Sequence, residues 1–210
     1  MNISSRLFGT MAAALLVPFV QAASIPQDLG QGLTYYRIHV LPADLPSTPT
    51  AGPGACVVDL RFAKTDESAA AALKAWLKFN ASPQAPIFVL ENASTSPALL
   101  AAVGTGGPAG LLVIAPDSEG LAPDIAVHVS AEIDAKSYKA LDAGTPIQAL
   151  LKDNPEKPRV DEAYLEKEHL SDGDAPDAAS DQQAPPGPLI DLVLQRAVQI
   201  DRGLLALKRL

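Results

Sequence analysis

The residue types that could carry chemistry in this chain are few. Its histidines are His39, His128 and His169, and its single cysteine is Cys56. No two histidines stand at ligand spacing, and one thiol cannot build a Cys-rich zinc site or an intrachain disulfide, so no metal and no cofactor is expected. Ser96, His128 and an Asp supply the types of a Ser-His-Asp relay, but nothing in the local sequence joins them. Asp172-Gly173-Asp174 lacks the remaining ligands of a calcium loop and reads as part of a solvated acidic run. Gly104-Thr105-Gly106-Gly107 suggests a phosphate loop. It follows a predicted helix and precedes a predicted strand, the reverse of the order a dinucleotide site needs, so it reads as a helix stop and turn. Ser96-Pro97 has the form of a helix start, with Ser at the N-cap and Pro in the first helical position. Asn80-Ala81-Ser82 and Asn92-Ala93-Ser94 match the glycosylation sequon and read as chance matches.

The elements that must position these residues alternate between strand and helix. Gly32 to Leu41 is rich in aromatic and β-branched residues and predicts a strand; Pro42 to Pro53, with four prolines, predicts a loop. Ala55–Phe62, Pro86–Leu90 and Leu111–Ile114 are short apolar runs of the kind found in parallel strands covered on both faces. Between them lie two predicted helices. The first is capped by Thr65, carries Asp66 and Glu67 in its first turn and stops at Asn80; the second runs from Pro97 to Val103. Asp124–Val129 alternates and predicts a more exposed edge strand, followed by helices over Ser130–Leu141 and Thr145–Lys152, the latter with Pro146 first. This order predicts an α/β fold with a mainly parallel sheet.

The ends of the chain differ from the middle. Met1 to Ala22 reads as a signal peptide: Arg6, an apolar run from Leu7 to Val20 too short to span a bilayer, and Val20-Gln21-Ala22 before a cleavage point at Ala23. A periplasmic or secreted product with no stable membrane anchor is therefore expected. The 210 residues carry 24 acidic and 16 basic side chains, a formal charge of −8, which repels phosphate backbones and argues against nucleic-acid binding. That charge is uneven. Asp153 to Pro188 holds ten carboxylates against three bases, together with six of the 19 prolines, and reads as a disordered acidic linker. A short helix over Glu162–His169 is the one element it could hold. Leu189–Leu210 then predicts an amphipathic helix, with Ile190, Val193, Leu194, Ala197, Leu204 and Leu207 at helical spacing. It could dock on its own domain, bind a protein partner or self-associate. The predicted organisation is thus 1–22 signal peptide, 23–152 core domain, 153–188 linker and 189–210 terminal helix.

Four stretches across residues 30–150 together resemble the C-terminal processing (tail-specific) serine peptidases. They are Gly32-Leu33-Thr34-Tyr35-Tyr36-Arg37-Ile38, Val58-Asp59-Leu60-Arg61, Val89-Leu90-Glu91-Asn92-Ala93-Ser94-Thr95-Ser96 and Gly120-Leu121-Ala122-Pro123-Asp124-Ile125-Ala126-Val127. The resemblance implies a ClpP/crotonase-like core of ββα units, a Ser nucleophile at a strand-to-helix junction, a Lys base and a backbone oxyanion hole. The departures fall on that machinery. Phe62-Ala63-Lys64-Thr65 stands where the family carries a Gly-Gly pair, and the nucleophile position falls on Pro97 or, one residue earlier, on Ser96. With Ser96 as nucleophile the following residue, Pro97, has no N–H to donate to an oxyanion. No Lys lies between Lys78 and Lys136, where the base should fall, and a Ser hydroxyl without a base is a poor nucleophile. The expectation is an exported, non-catalytic peptidase-like domain acting in protein binding or assembly, with Asp59, Arg61, Phe62, Thr95 and Pro97 forming a degenerate site. The alternative is an active serine hydrolase using Ser96 with an atypical base.

Overall fold

The structure is a computed structural model that describes residues 25–46, 54–104, 106–152 and 188–207. The predicted signal peptide, the acidic linker with its possible helix, His169 and Asp172–Asp174 lie outside the described residues. Six strands form one sheet in sequence order: β1 (Gln27–Asp28), β2 (Thr34–Arg37), β3 (Cys56–Asp59), β4 (Ile87–Leu90), β5 (Leu111–Pro116) and β6 (Ile125–Val127). β1 pairs antiparallel with β2 and every other pair is parallel. The helices are α1 (Glu67–Asn80), α2 (Pro97–Val103), α3 (Ala131–Asp142) and α4 (Leu192–Ala206), with a 3₁₀ turn at Ile147–Leu150. The protein is therefore α/β with a mainly parallel sheet.

β3 and β4 are buried along their whole length because both faces of the sheet are covered. Their period of two divides the core. Cys56, Val58, Ile87 and Val89 pack with Leu73 and Leu77 of α1 and Leu99 and Val103 of α2. Val57, Phe88, Leu90 and Ile114 pack on the other face with Val193, Leu194, Ala197 and Val198 of α4 and with Ile147. The amphipathic terminal helix is thus a core element, seated on its own domain.

Several local expectations change. The cap of α1 is Asp66, whose carboxylate accepts from Ala69 N at 2.9 Å, so Thr65 lies one residue outside it. Ser96 occupies the N-cap of α2 with Pro97 following, but its hydroxyl makes no capping bond. The strand expected over Gly32–Leu41 is only Thr34–Arg37. Beyond Ile38 the chain turns, and Asp44 Oδ2 accepts from both His39 N and Val40 N at 2.7 Å. The helix expected over Thr145–Lys152 is a single 3₁₀ turn, and Pro146 caps it from outside. β1 gave no sequence signal because two residues carry no period. It pairs through a turn in which Gly30, Gln31 and Gly32 all have positive φ.

Candidate functional site

The same period of two delivers a set of polar side chains to the face that α4 covers. Tyr35 and Arg37 on β2, Asp59 at the end of β3, Arg61 two residues later and Asn92 two residues after Leu90 all belong to it. At its centre is Arg61, a guanidinium with no solvent exposure. Its five N–H donors all find carboxylates. Nε and Nη2 donate to Asp59 at 3.1 and 2.7 Å, Nη1 donates to Asp134 at 2.8 Å, and Nη1 and Nη2 donate to Asp191 at 3.0 and 2.7 Å. Burial works against this charge, but Asp191 and Asp59 hold the guanidinium well above its ordinary range.

The carboxylates are satisfied in turn. Asp59 accepts from Tyr35 Oη at 2.7 Å and from Arg61 N at 3.0 Å. Asp134 accepts from Asn92 Nδ2 at 2.7 Å. Asp191 is the N-cap of α4 and accepts from Leu194 N at 3.0 Å. Burial, then the neighbouring Asp59 charge, raises the Tyr35 phenol well above its ordinary value, so it remains a donor. Tyr138 of α3 closes the cluster: the Arg37 guanidinium lies 3.8 Å and that of Arg61 5.5 Å from its ring centroid. Arg37 also donates to Asp142 at 2.7 Å and to Tyr138 O at 3.0 Å. One arginine therefore ties together strand β3, helix α3 and helix α4.

The two loops expected to form a degenerate catalytic site meet by direct hydrogen bonds. Ser96 N donates to Ala63 O at 3.1 Å, and Thr95 Oγ1 donates to Leu60 O at 3.2 Å. Thr95 Oγ1 also accepts from Asn92 N at 3.0 Å. Ser96 Oγ is buried and has no hydrogen-bond partner among the described residues, so no base among them touches it. Pro97 faces away, into an open groove between α1 and α2 with Glu67 and Lys74. Phe62 holds φ at +63°, the left-handed region that a bulky side chain rarely adopts, and its ring packs on Tyr138 at 4.8 Å between centroids. Cys56 is buried and its thiol is pushed up to about 12, so it stays protonated and unreactive. His128 is exposed on the residue after β6, away from any bond to Ser96.

An opening of about 260 Å³ lies beside the cluster, lined by Phe62, Asn92, Ser94, Asp117, Ser130 and Asp134 among others. These residues follow β3, β4, β5 and β6, so the cleft sits at the carboxyl ends of the parallel strands, the usual place for ligands on an open α/β sheet. Among the described residues, no group of three or more His, Cys, Asp and Glu side chains is arranged to hold a metal ion, and no helix is long and apolar enough to cross a membrane. No known protein family, curated protein or solved structure matches this chain.

Sequence reasoning singled out Asp59, Arg61, Phe62, Thr95, Ser96 and Pro97, and the structure brings Asp59, Arg61 and Phe62 to one cluster and Thr95 to its rim. It missed Tyr35, Asp134, Tyr138 and Asp191. The signal for Asp191 is its place before an apolar-periodic run, where an Asp caps a helix. Asp134 and Tyr138, one turn apart on α3, carry no local signal, because their partners lie 73 and 101 residues away.

Proposed function

We propose that this chain is an exported, non-catalytic domain of the ClpP/crotonase type, related to the C-terminal processing peptidases and acting in protein binding or assembly. The observation that carries this reading is the state of the residues at the matched positions. Asp59 and Arg61 are fully engaged in an internal ion cluster, and among the described residues the Ser96 hydroxyl has neither a base nor a capping bond. The order strand, strand, helix occurs twice, in β2–β3–α1 and β5–β6–α3, which supports the ββα relationship. For binding, β6 is an edge strand with one side unpaired among the described residues, and it runs directly into the cleft through Val129 and Ser130. An extended peptide added along β6 would bring its end to Phe62 and Asn92. Association through α4 would use its outward side chains, Leu192 and Leu207, because its apolar seam is occupied by the core.

The test is intact-mass analysis of the full chain after incubation with a serine-directed fluorophosphonate. The expected spectrum shows no adduct. An adduct that disappears in Ser96→Ala would instead establish a serine hydrolase with an atypical base.

A further inference from the structure

On the opposite face of β4, one residue before Asn92, Glu91 stands in a different setting. It is 5% exposed, and its Oε2 is buried with no hydrogen-bond partner among the described residues. It lines a cavity of about 220 Å³ whose other walls include Leu100 and Val103 of α2, Val113 of β5 and Leu121. The charge around it is one-sided. Helix α2 (PALLAAV) and strand β5 (LLVIAP) carry no ionisable side chain. The loop from β5 to β6 brings only acids: Asp117, Glu119 and Asp124. Asp124 is itself engaged, accepting from Val113 N at 2.8 Å. Among the described residues, no element packed around the cavity offers Glu91 a cation.

An orphaned buried carboxyl oxygen is costly unless something from outside completes it. We propose that the Glu91 cavity binds a primary alkylammonium group, its nitrogen donating to Glu91 and its short aliphatic chain lying against Leu100, Val103 and Leu121. The aliphatic side chains of the walls select a methylene chain, and the single acid among the lining residues selects a positive head with N–H donors. A free alkylamine and a lysine side chain present this same chemistry. The proposal stands on the cavity alone and does not depend on the peptidase-like reading. Burial, then the Asp124 charge, pushes Glu91 up to about 7. Proton and ammonium therefore compete for it, and binding should strengthen as pH rises through neutrality.

The test is calorimetric titration of the full chain at pH 8.0 and pH 5.5 with n-butylammonium and with Nα-acetyl-lysine methylamide, using n-pentanol as the uncharged control. The expected result is saturable binding of an ammonium at pH 8.0, weakened at least about tenfold at pH 5.5 and in Glu91→Gln, as befits loss of a charge-assisted bond. n-Pentanol should bind at least tenfold more weakly than the ammonium. Binding of the lysine derivative at least as tight as that of butylammonium assigns the site to a lysine-bearing partner, and binding of butylammonium alone assigns it to a small amine. Leu121→Trp, which fills the cavity and leaves Glu91 in place, should abolish binding while the protein stays folded by near-ultraviolet circular dichroism. No binding of either ammonium at pH 8.0, or equal binding by n-pentanol or by folded Glu91→Gln, overturns the proposal.

Discussion

Arg61 is charged where charge is costly, and three carboxylates make it tolerable. A buried guanidinium needs all five donors satisfied, and Asp59, Asp134 and Asp191 supply five acceptors between them. Each partner also has a second bond, to Tyr35, Asn92 or the α4 backbone, so no single oxygen can change role without orphaning another group. Asp134→Asn illustrates this. The new amide would meet Asn92 Nδ2 donor to donor, and Asn92 cannot turn over because its Oδ1 accepts from Ser94 N. Urea unfolding should show a loss of about 1–3 kcal/mol, the cost of a buried unmade hydrogen bond. Glu91 makes the opposite case, a buried acid without a partner. Its folded-state value of about 7 lies above the ~4.3 of an unfolded Glu, so the native state retains a proton that the unfolded chain has lost. Stability should fall as pH rises from about 4.5 to 7, by roughly 3–4 kcal/mol in all, and remain low above that. Glu91→Gln should therefore raise the thermal midpoint at pH 8 and leave it near that of the wild type at pH 4. Equal shifts at both pH values would contradict the assignment.

Among the elements, α4 has the largest consequence. It follows the sheet in sequence by a long interval, yet it packs on β4, β5 and β6 and delivers Asp191 to Arg61. Full burial of Val193, Leu194 and Val198 contributes roughly 5–9 kcal/mol at ~1.5–3 kcal/mol per side chain, comparable to the whole stability of a domain. Truncation before Pro188 should give a chain that binds 1-anilinonaphthalene-8-sulfonate and lacks near-ultraviolet circular dichroism. A truncated chain that unfolds cooperatively at the wild-type midpoint would show that α4 is an appendage. Much of the element order was legible, because the buried strands are short, nearly continuous apolar runs and α1, α3 and α4 have strong periods and caps. The strand of β1 was not, since two residues have no pattern. Neither was the choice of Asp66 over Thr65 as cap, since both residues accept hydrogen bonds and only geometry decides. The legible part of the site was local: Asp59, Arg61 and Phe62 follow one another in sequence. The illegible part was the identity of their partners, which topology supplies from α3 and α4, and the left-handed φ of Phe62, which its bulky side chain would not suggest.

At the scale of the molecule, the sheet carries two unlike sites at the carboxyl ends of its strands. On the α4 face the polar residues are tied together by hydrogen bonds, and Asn92 and Asp134 among them line the neighbouring cleft. On the α2 face a lone acid looks into a cavity walled by aliphatic side chains and backbone. The first of these is architecture: Arg61 joins β3, α3 and α4 and is not held ready for another role. A residue kept for function is commonly neutral or stabilising to replace, whereas a keystone is not. The direct measurement is urea-induced unfolding of Arg61→Met, a volume-matched change that leaves three carboxylates buried without their cation. A loss of at least about 3–5 kcal/mol, or failure to fold at all, is the predicted result. A midpoint equal to or above that of the wild type would contradict it.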